Sequence, residues 1–374
     1  MEDSAGRGFL PASRPSSWDL GAQVAASGSP PAVLKRKSPW IVNRIYDSIF
    51  FIFSPLIALA LGLTIAGSPL TEASCTVGEY HGSAANLFIG IFIASHLFIV
   101  FFRSHLNQKI FQSYPYRFTV VPVVLLVGMY FSDWIAISAY VLAIWWDVYH
   151  SSLQTFGLGR IYDVKNGNDP NVGRRLDILL NLLIYAGPIL AGAALMEHIE
   201  EFGEFSRIGS AFFTSVPAYV ESNQRYLTWA MILFGTPFTA YYVYAYWRYH
   251  RQGYRVSHQK VLLLASTALC SIYTWGFDSF GQAFFIMNFF HAFQYFALVW
   301  HLESKNMTSF FRLGGLPWGK PIALVLFLVI GFGYGIFSEV SSAQARFTAN
   351  LVIAVSLMHF WYDGFIWSVR KQQV

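Results

Sequence analysis

The sequence predicts an all-α, polytopic transmembrane bundle of about ten helices, because it is apolar, poor in charge and divided into apolar blocks. Hydrophobic residues make up 55% of the 374 positions and charged residues only 12%, whereas a soluble domain carries about 25% charged residues. The blocks are roughly 17–25 residues long, which is enough to cross a hydrocarbon core about 30 Å thick. They do not alternate as barrel strands do, so we predict helices, which satisfy their own backbone hydrogen bonds in lipid.

The predicted spanning segments are 46–67, 86–103, 116–131, 132–150, 176–197, 226–248, 260–277, 281–302, 320–338 and 344–369. The third and fourth of these form a tight hairpin. A short apolar run at 211–220 follows an acidic stretch at 200–204 and is predicted to be an interfacial helix. Residues 1–38 are rich in Gly, Pro, Ser and Ala and are predicted to form a disordered cytoplasmic tail, which leaves 39–374 as the transmembrane domain.

The distribution of basic residues predicts that both termini are cytoplasmic. With that orientation, 22 of the 25 Lys and Arg residues fall on the inside, and only Arg207, Arg225 and Arg346 fall outside. The positive-inside rule requires this asymmetry. The net charge of +5 then belongs to loops beside anionic lipid and gives no reason to expect a nucleic-acid partner. We expect an integral multi-pass protein of a bacterial inner membrane.

The two cysteines predict neither a disulfide nor a thiolate metal site. Cys75 falls in a predicted outside loop and Cys270 inside the seventh segment, so the two thiols lie at different depths. The sequence contains no internal repeat and no Walker, dinucleotide-binding or zincin motif. A functional site must therefore be built from other side chains.

Six histidines are predicted to lie in spanning segments or at their cytoplasmic ends, and these are His96, His105, His150, His291, His301 and His359. An ionisable side chain inside a spanning helix is costly and by default marks a function. An isolated histidine is more often a hydrogen-bonded core residue. Four helices that each carry an imidazole in the same leaflet instead predict a shared metal site in the cytoplasmic half of the bilayer.

Helix geometry ranks these histidines as ligands. His96 and His105 are nine residues apart and face opposite sides of their helix, and His96 lies deeper. The rise from His291 to His301 is about 15 Å, which is too far for one ion in an unbroken helix. We therefore predict a metal site whose ligands, in order of preference, are His96, His150, His291 and His359, then Asp363, with His301 in reserve.

Polar side chains one or two helical turns away accompany three of these histidines, and they are Asp147 and Gln154 with His150, Asn288 and Tyr295 with His291, and Asp363 with His359. A metal-bound imidazole needs such an acceptor for its other ring nitrogen. Tyr295, Asp147 and Gln154 are therefore predicted to assist the site or its catalysis, and Asp363 is alternatively a direct oxygen ligand. In a purely structural interpretation, the aspartates neutralise a protonated histidine or cap an irregular turn.

The segment after His150 keeps polar groups at Gln154, Arg160, Tyr162 and Asp163, with glycines at 157 and 159. We interpret it as a loop that forms part of a cytoplasmic mouth or an anion contact. An ordinary re-entrant connector agrees equally well with the sequence.

Imidazoles with one carboxylate and no thiolate suit iron, zinc, copper or manganese. Fe(II) is the preferred interpretation, because iron with open coordination positions activates dioxygen. A site in the bilayer receives acyl chains, sterols, isoprenoids or carotenoids from the side. We therefore expect an oxygenase or desaturase type of enzyme with a lipid or other apolar substrate, O2 and an electron donor. The aromatic side chains of 284–296 either line an apolar tunnel or form ordinary core packing.

The H-x-x-x-H and H-x-x-H-H boxes of membrane desaturases do not occur. The sequence is similar instead to the bacterial and archaeal membrane β-carotene-cleaving dioxygenases in three places, which are His150 with an aspartate nearby, the His291 helix, and the last helix with His359 and Asp363. It differs in having no Pro-His-Gly element in the first helix, a tyrosine in place of a second histidine at 295, and a last-helix spacing one residue shorter. The resemblance implies that dioxygen reacts with an apolar chain at Fe(II), which is held by His96, His150, His291 and His359 and supported by Asp363, Asp147 and Tyr295.

Two other classes of function agree with buried histidines. In a transporter, buried His and Asp residues relay protons or bind a carried cation, and Gly187, Pro188, Gly235 and Pro237 would break helices. In a haem-binding electron carrier, His291 and His359 would be axial ligands on facing helices. We rank haem below a non-haem ion.

Overall fold

The computed structural model describes residues 38–78, 80–278, 280–341 and 346–367. The predicted disordered tail lies outside these residues except for Ser38, and so does the basic pair at 370–371. The described residues form fourteen α-helices, so the all-α prediction is confirmed. The described residues also include a two-stranded antiparallel hairpin, β1 (Ser74–Val77) and β2 (Tyr80–Ser83), which we did not predict.

The helices are α1 (Arg44–Asp47), α2 (Ser54–Ala66), α3 (Ala84–Ser104), α4 (Gln108–Ser113), α5 (Pro115–Phe131), α6 (Asp133–Lys165), α7 (Arg174–Ala191), α8 (Leu195–Ile199), α9 (Ala211–Thr214), α10 (Val216–Arg251), α11 (His258–Phe277), α12 (Phe280–Phe310), α13 (Gly319–Ser341) and α14 (Arg346–Ile366). A π-helical turn, Ser48–Ile52, joins the region of α1 to α2, and 3-10 turns cover Pro69–Thr71 and Glu200–Ile208.

Serine side chains cap the N-termini of several of the long helices. Ser83 accepts a hydrogen bond from the backbone N–H of Asn86 at α3, Ser132 accepts from Ile135 at α6, and Ser257 accepts from Lys260 at α11. Each bond satisfies a first-turn N–H that has no partner within its own helix. These caps mark where α3 and α6, which carry His96 and His150, and α11 begin.

Five helices are long and apolar enough to cross a membrane, and they are Ala84–Ser104, His258–Phe277, Gln282–Phe310, Gly319–Ser341 and Arg346–Ile366. The number rises to eight if each of three bent pairs is one span. One such pair, α5 with α6, bends by 120° at the position of the predicted hairpin. Each of the ten predicted segments overlaps a helix, but α10 is not among the five, because tyrosine and threonine lower the hydropathy of 226–247.

Two local predictions are wrong. The predicted interfacial helix at 211–220 is divided, because α9 ends at Thr214 and the rest belongs to the long helix α10. The segment after His150 is not a loop, since α6 continues without a break to Lys165. Glycines 157 and 159 do not interrupt the helix, which packs against α7 and α11. At Gly159 the side chain of Lys260 passes 3.4 Å from where a β-carbon would lie, whereas Gly157 has open space there.

Helix α3 lies at the centre of the part of the bundle that concerns function. It packs against α12, α13 and α14, while α14 also packs against α6. Gly335 lets α13 approach closely, since a β-carbon there would overlap the carbonyl oxygen of Ile91 and the hydroxyl of Ser95. The four helices α3, α6, α12 and α14 each carry one of the four first-rank histidines.

Candidate metal centre

The structure brings the four first-rank histidines together around one point. The ring centroids of His96 lie 5.2 Å from His291 and 5.1 Å from His359. Those of His150 lie 4.9 Å from His291 and 4.7 Å from His359. All four side chains are buried. A cluster of this kind requires four helices to place one imidazole each at the same depth.

The nitrogen atoms form two overlapping groups that are close enough to hold an ion. His96, His291 and His359 each offer a nitrogen within 4.8 Å of the other two, and His150, His359 and Asp363 do the same with their ligand atoms. The Nε2 atoms of His150 and His359 are 3.1 Å apart. Two nitrogens bound to one ion at about 2.1 Å lie about 3–4 Å apart. His359 belongs to both groups, so the two groups adjoin each other.

Several nitrogens of this cluster have no hydrogen-bond partner among the described residues. They are Nε2 of His96, both ring nitrogens of His291 and Nδ1 of His359. A buried polar atom without a partner costs about 1–3 kcal/mol, and a bound cation would compensate that cost. Nδ1 of His96 pairs with the carbonyl oxygen of Ile93, which leaves the Nε2 lone pair available to a metal.

Asp363 is held in place beside the cluster by two donors. Its Oδ1 accepts hydrogen bonds from the hydroxyl of Tyr295 at 2.8 Å and from Nε1 of Trp367 at 2.7 Å. Its Oδ2 lies 3.8 Å from Nε2 of His150. One oxygen is thus fixed by neighbours and the other faces the histidines. Trp367 did not emerge from the sequence, although its spacing of one turn from Asp363 is the signal that would have found it.

Gln154 and Asp147, the two other residues predicted to assist the site, lie in different surroundings. Gln154 donates to the carbonyl oxygen of His291 at 3.0 Å and to Oε1 of Gln294 at 2.9 Å, so it ties α6 to α12. Asp147 lies near the side chain of Asn288, which itself donates to the carbonyl oxygen of Phe284 at 3.1 Å. Neither residue belongs to the two ligand groups found among the described residues. Their positions are those of residues that hold helices together near the site.

His301 and His105 lie apart from the cluster. His301 is half-buried against Tyr46, with ring centroids 6.4 Å apart. Helix α12 is unbroken between His291 and His301, so the separation of about 15 Å along the axis remains. The ring nitrogens of His105 contact the hydroxyl of Ser104 at 2.7 Å and the carbonyl oxygen of Phe118 at 3.2 Å. The rotation argument that ranked His96 above His105 agrees with this arrangement.

A cavity of about 440 Å³ adjoins the cluster. His150, Tyr295 and Asp363 line one part of it, and its walls come largely from α6 and α14. The aromatic stripe of α12 contributes only Tyr295, because its side chains Phe285, Phe289 and Phe290 are buried in the core. The tunnel that we considered for that stripe is therefore replaced by core packing. The volume lies within the usual range of small-molecule sites, about 300–1,000 Å³.

A second polar cluster lies further along α6 and explains the charged residues after His150. Nη1 of Arg160 and Nζ of Lys260 both bind Oδ2 of Asp163 and Oδ2 of Asp177, at 2.6–2.8 Å. Tyr242 and Tyr246 donate to the other oxygen of Asp177. Two buried cations thus neutralise two buried carboxylates. Arg160 and Asp163 belong to an internal ion network, and Asp177 and Lys260 were not singled out by the sequence.

Comparison of the chain with protein-family models, with curated proteins and with solved structures found no match. The functional argument therefore depends on the geometry of the site.

Proposed function

We propose that the chain is an integral, multi-pass membrane metalloenzyme that binds a non-haem ion, preferably Fe(II), and oxidises a lipid or isoprenoid substrate with dioxygen. The observation that carries this proposal is the convergence of His96, His150, His291 and His359 from four helices. Each is a rare and costly residue in an apolar helix, and buried ionisable groups of this kind mark function. An electron donor would supply the reducing equivalents.

The donor set supports an ion of the iron, zinc, copper or manganese group. It combines imidazole nitrogens with the carboxylate of Asp363 and includes no thiolate within the two groups of candidate ligands in the described chain. Mixed imidazole and carboxylate ligation suits Fe(II) that keeps open positions for dioxygen. When bound, such an ion supplies the redox chemistry that amino-acid side chains lack.

The protein residues would position the ligands, hold a proton and keep water out. Tyr295 and Trp367 fix one oxygen of Asp363, so that the other remains directed toward His150. The Tyr295 hydroxyl, 2.8 Å from the carboxylate, would hold a proton in a hydrogen bond to Asp363. The aromatic walls of the adjoining cavity exclude water and offer an apolar surface to a hydrocarbon chain.

Ten spanning helices with both termini in the cytoplasm, in a bacterial inner membrane, remain part of the proposal. The distribution of Lys and Arg supports it. In that arrangement the histidine cluster lies in the cytoplasmic half of the bilayer, and the ion network of Arg160 and Lys260 lies nearer the cytoplasmic surface.

Haem is the weaker alternative as cofactor. Neighbouring imidazole centroids in the cluster are 4.7–5.2 Å apart, so the rings surround a single point and do not flank a flat slot. A porphyrin needs such a slot between its two axial ligands. The geometry favours a bare ion.

Purified protein in detergent, supplied with a total lipid extract, a reductant and Fe(II), is expected to consume oxygen. Dialysis against a chelator should abolish that uptake, and added Fe(II) should restore it while Zn(II) should not, because zinc has no redox chemistry. The absorption spectrum should show no Soret band. Oxygen uptake that persists in metal-free protein would contradict the proposal, and a Soret band would assign the chemistry to haem.

A further inference from the structure

The lateral groove, a second cavity of about 1130 Å³, lies between α7, α10 and α11. Helices α10 and α11 each pack against α7, so α7 forms the floor of the groove and the other two helices form its sides. Three apolar side chains that line it, Val243, Trp247 and Val261, are more than half exposed. The groove is therefore open along the flank of the bundle, and among the described residues it shares no lining side chain with the cavity beside the histidines.

The lateral groove is long enough to hold an acyl chain along the helix axes. Lys260 and Phe277, near the two ends of α11, both line it, and 17 helical residues correspond to about 25 Å. The hydrocarbon core of a bilayer is about 30 Å thick. Between the two ends the lining is mainly apolar, with Leu183, Leu264 and Ile272 among its side chains. An apolar groove that opens sideways at membrane depth is filled by hydrocarbon chains.

The end of the lateral groove at Lys260 is surrounded by basic residues. The segment 248–260 contains four Lys or Arg residues, two histidines and no Asp or Glu. Arg248, Arg251 and Arg255 are exposed, and none of the three has an ion pair within the part of the chain that the structure describes. The guanidinium carbon of Arg251 lies 5.7 Å from the ring centroid of Trp247, a groove residue. This contact places a cation at the rim of the groove.

The buried network beneath this end does not neutralise the exposed arginines. Arg160 and Lys260 are matched by the carboxylates of Asp163 and Asp177, so their charges cancel. The positive charge at the rim therefore remains available to an anion from outside the chain. Basic clusters beside spanning helices attract anionic lipid head groups, by about 1 kcal/mol for each Lys or Arg near the membrane surface.

We infer that the lateral groove binds an anionic phospholipid, with its phosphate at Arg251 and Arg255 and an acyl chain along α7 between α10 and α11. A zwitterionic lipid would fill the apolar part equally well, but its own cation would oppose the arginines. A guanidinium forms charge-assisted, often bidentate hydrogen bonds with a phosphate. The bound lipid is a permanent partner of the fold and not the substrate of the proposed reaction, so this inference does not depend on a metal.

The test is native mass spectrometry of the full chain, delipidated in detergent and titrated with phosphatidylglycerol or with phosphatidylcholine that carries the same acyl chains. One phosphatidylglycerol per chain is expected to bind at least about tenfold more tightly than phosphatidylcholine, because two arginines contribute to the difference. Equal affinity for the two lipids would overturn the inference.

Charge variants localise the phosphate. The double variant Arg251→Gln with Arg255→Gln is expected to lose at least about tenfold in affinity for phosphatidylglycerol and little for phosphatidylcholine. Arg44→Gln with Lys109→Gln is the matched control, because it removes the same charge from exposed residues that do not line the groove. Unchanged binding in the first double variant would contradict the inference. An equal loss in the control would show that overall charge, and not this site, attracts the lipid.

A volume variant localises the acyl chain. Ala265 lies on α11, lines the groove and is exposed, so Ala265→Phe would fill the groove without disturbing the core. It is expected to weaken phosphatidylglycerol binding at least about tenfold, whereas Ala240→Phe, at an exposed position of α10 outside the lining, should leave it unchanged. Equal affinities in the two variants would place the lipid elsewhere. A dimer that persists without lipid and is lost in Ala265→Phe would assign the groove to a second copy of the chain and refute the phospholipid.

Discussion

Replacement of His359 by alanine is expected to remove the bound metal and, with it, metal-dependent oxygen uptake. His359 is the residue that belongs to both groups of candidate ligands, and its side chain is fully buried. Loss of an outer partner of a metal site typically costs about 10–100-fold in affinity, and loss of a ligand should cost more. Metal content per chain, measured by mass spectrometry after gel filtration, should fall from near one to near zero.

The matched control is His105→Ala. His105 follows the last residue of α3, the helix that carries His96, but its ring nitrogens contact Ser104 and Phe118. This variant should retain the metal content of the wild type. If His359→Ala kept its metal, or if both variants lost it equally, the ligand assignment would be wrong.

Asp177→Asn is expected to destabilise the fold by about 3–5 kcal/mol, the usual cost of removing one partner from a buried ion pair. One oxygen of Asp177 binds Arg160 and Lys260, and the other accepts from Tyr242 and Tyr246. The amide would leave two buried cations with a single carboxylate. Denaturation in mild detergent, followed by tryptophan fluorescence, measures the change.

The double variant Asp177→Asn with Lys260→Met tests whether the lost stability comes from an unbalanced buried charge. It leaves Arg160 paired with Asp163, so the cluster is neutral again, and much of the lost stability should return. A double variant as unstable as Asp177→Asn alone would show that the balance of charge is not what this network contributes. Wild-type stability in Asp177→Asn would show that the cluster is not buried as described.

The predictions from the sequence succeeded best for features that follow from the free-energy cost of burying polar groups in apolar helices. The all-α class follows from apolar blocks that must satisfy their own backbone, and the grouping of His96, His150, His291 and His359 follows from the cost of imidazoles in such blocks. Helical spacing also placed Asp363 beside His359, and the structure adds that Tyr295 reaches the same carboxylate. The placement of Asp363 beside His359 needs only the spacing of residues along one helix.

The features that the sequence did not reveal depend on contacts between distant parts of the chain. Asp163 and Lys260 are 97 residues apart, and their ion pair buries Asp163, which we had assigned to a loop. Helix α6 continues past His150 and packs against α7 and α11, and such tertiary packing overrides local propensity. Hydropathy and length alone give five spans, or eight if each bent pair is one span, because α5 and α6 then count once and the tyrosine-rich α10 is left out.

The most direct test of the central claim is iron K-edge X-ray absorption on the purified protein. A site built by histidines and Asp363 should show nitrogen and oxygen neighbours at about 2.0–2.2 Å and the outer-shell scattering of imidazole rings, with no sulfur near 2.3 Å. His359→Ala should lose this signal. A spectrum of iron surrounded by sulfur, or by oxygen atoms without imidazole, would contradict a metal centre formed by the four helices.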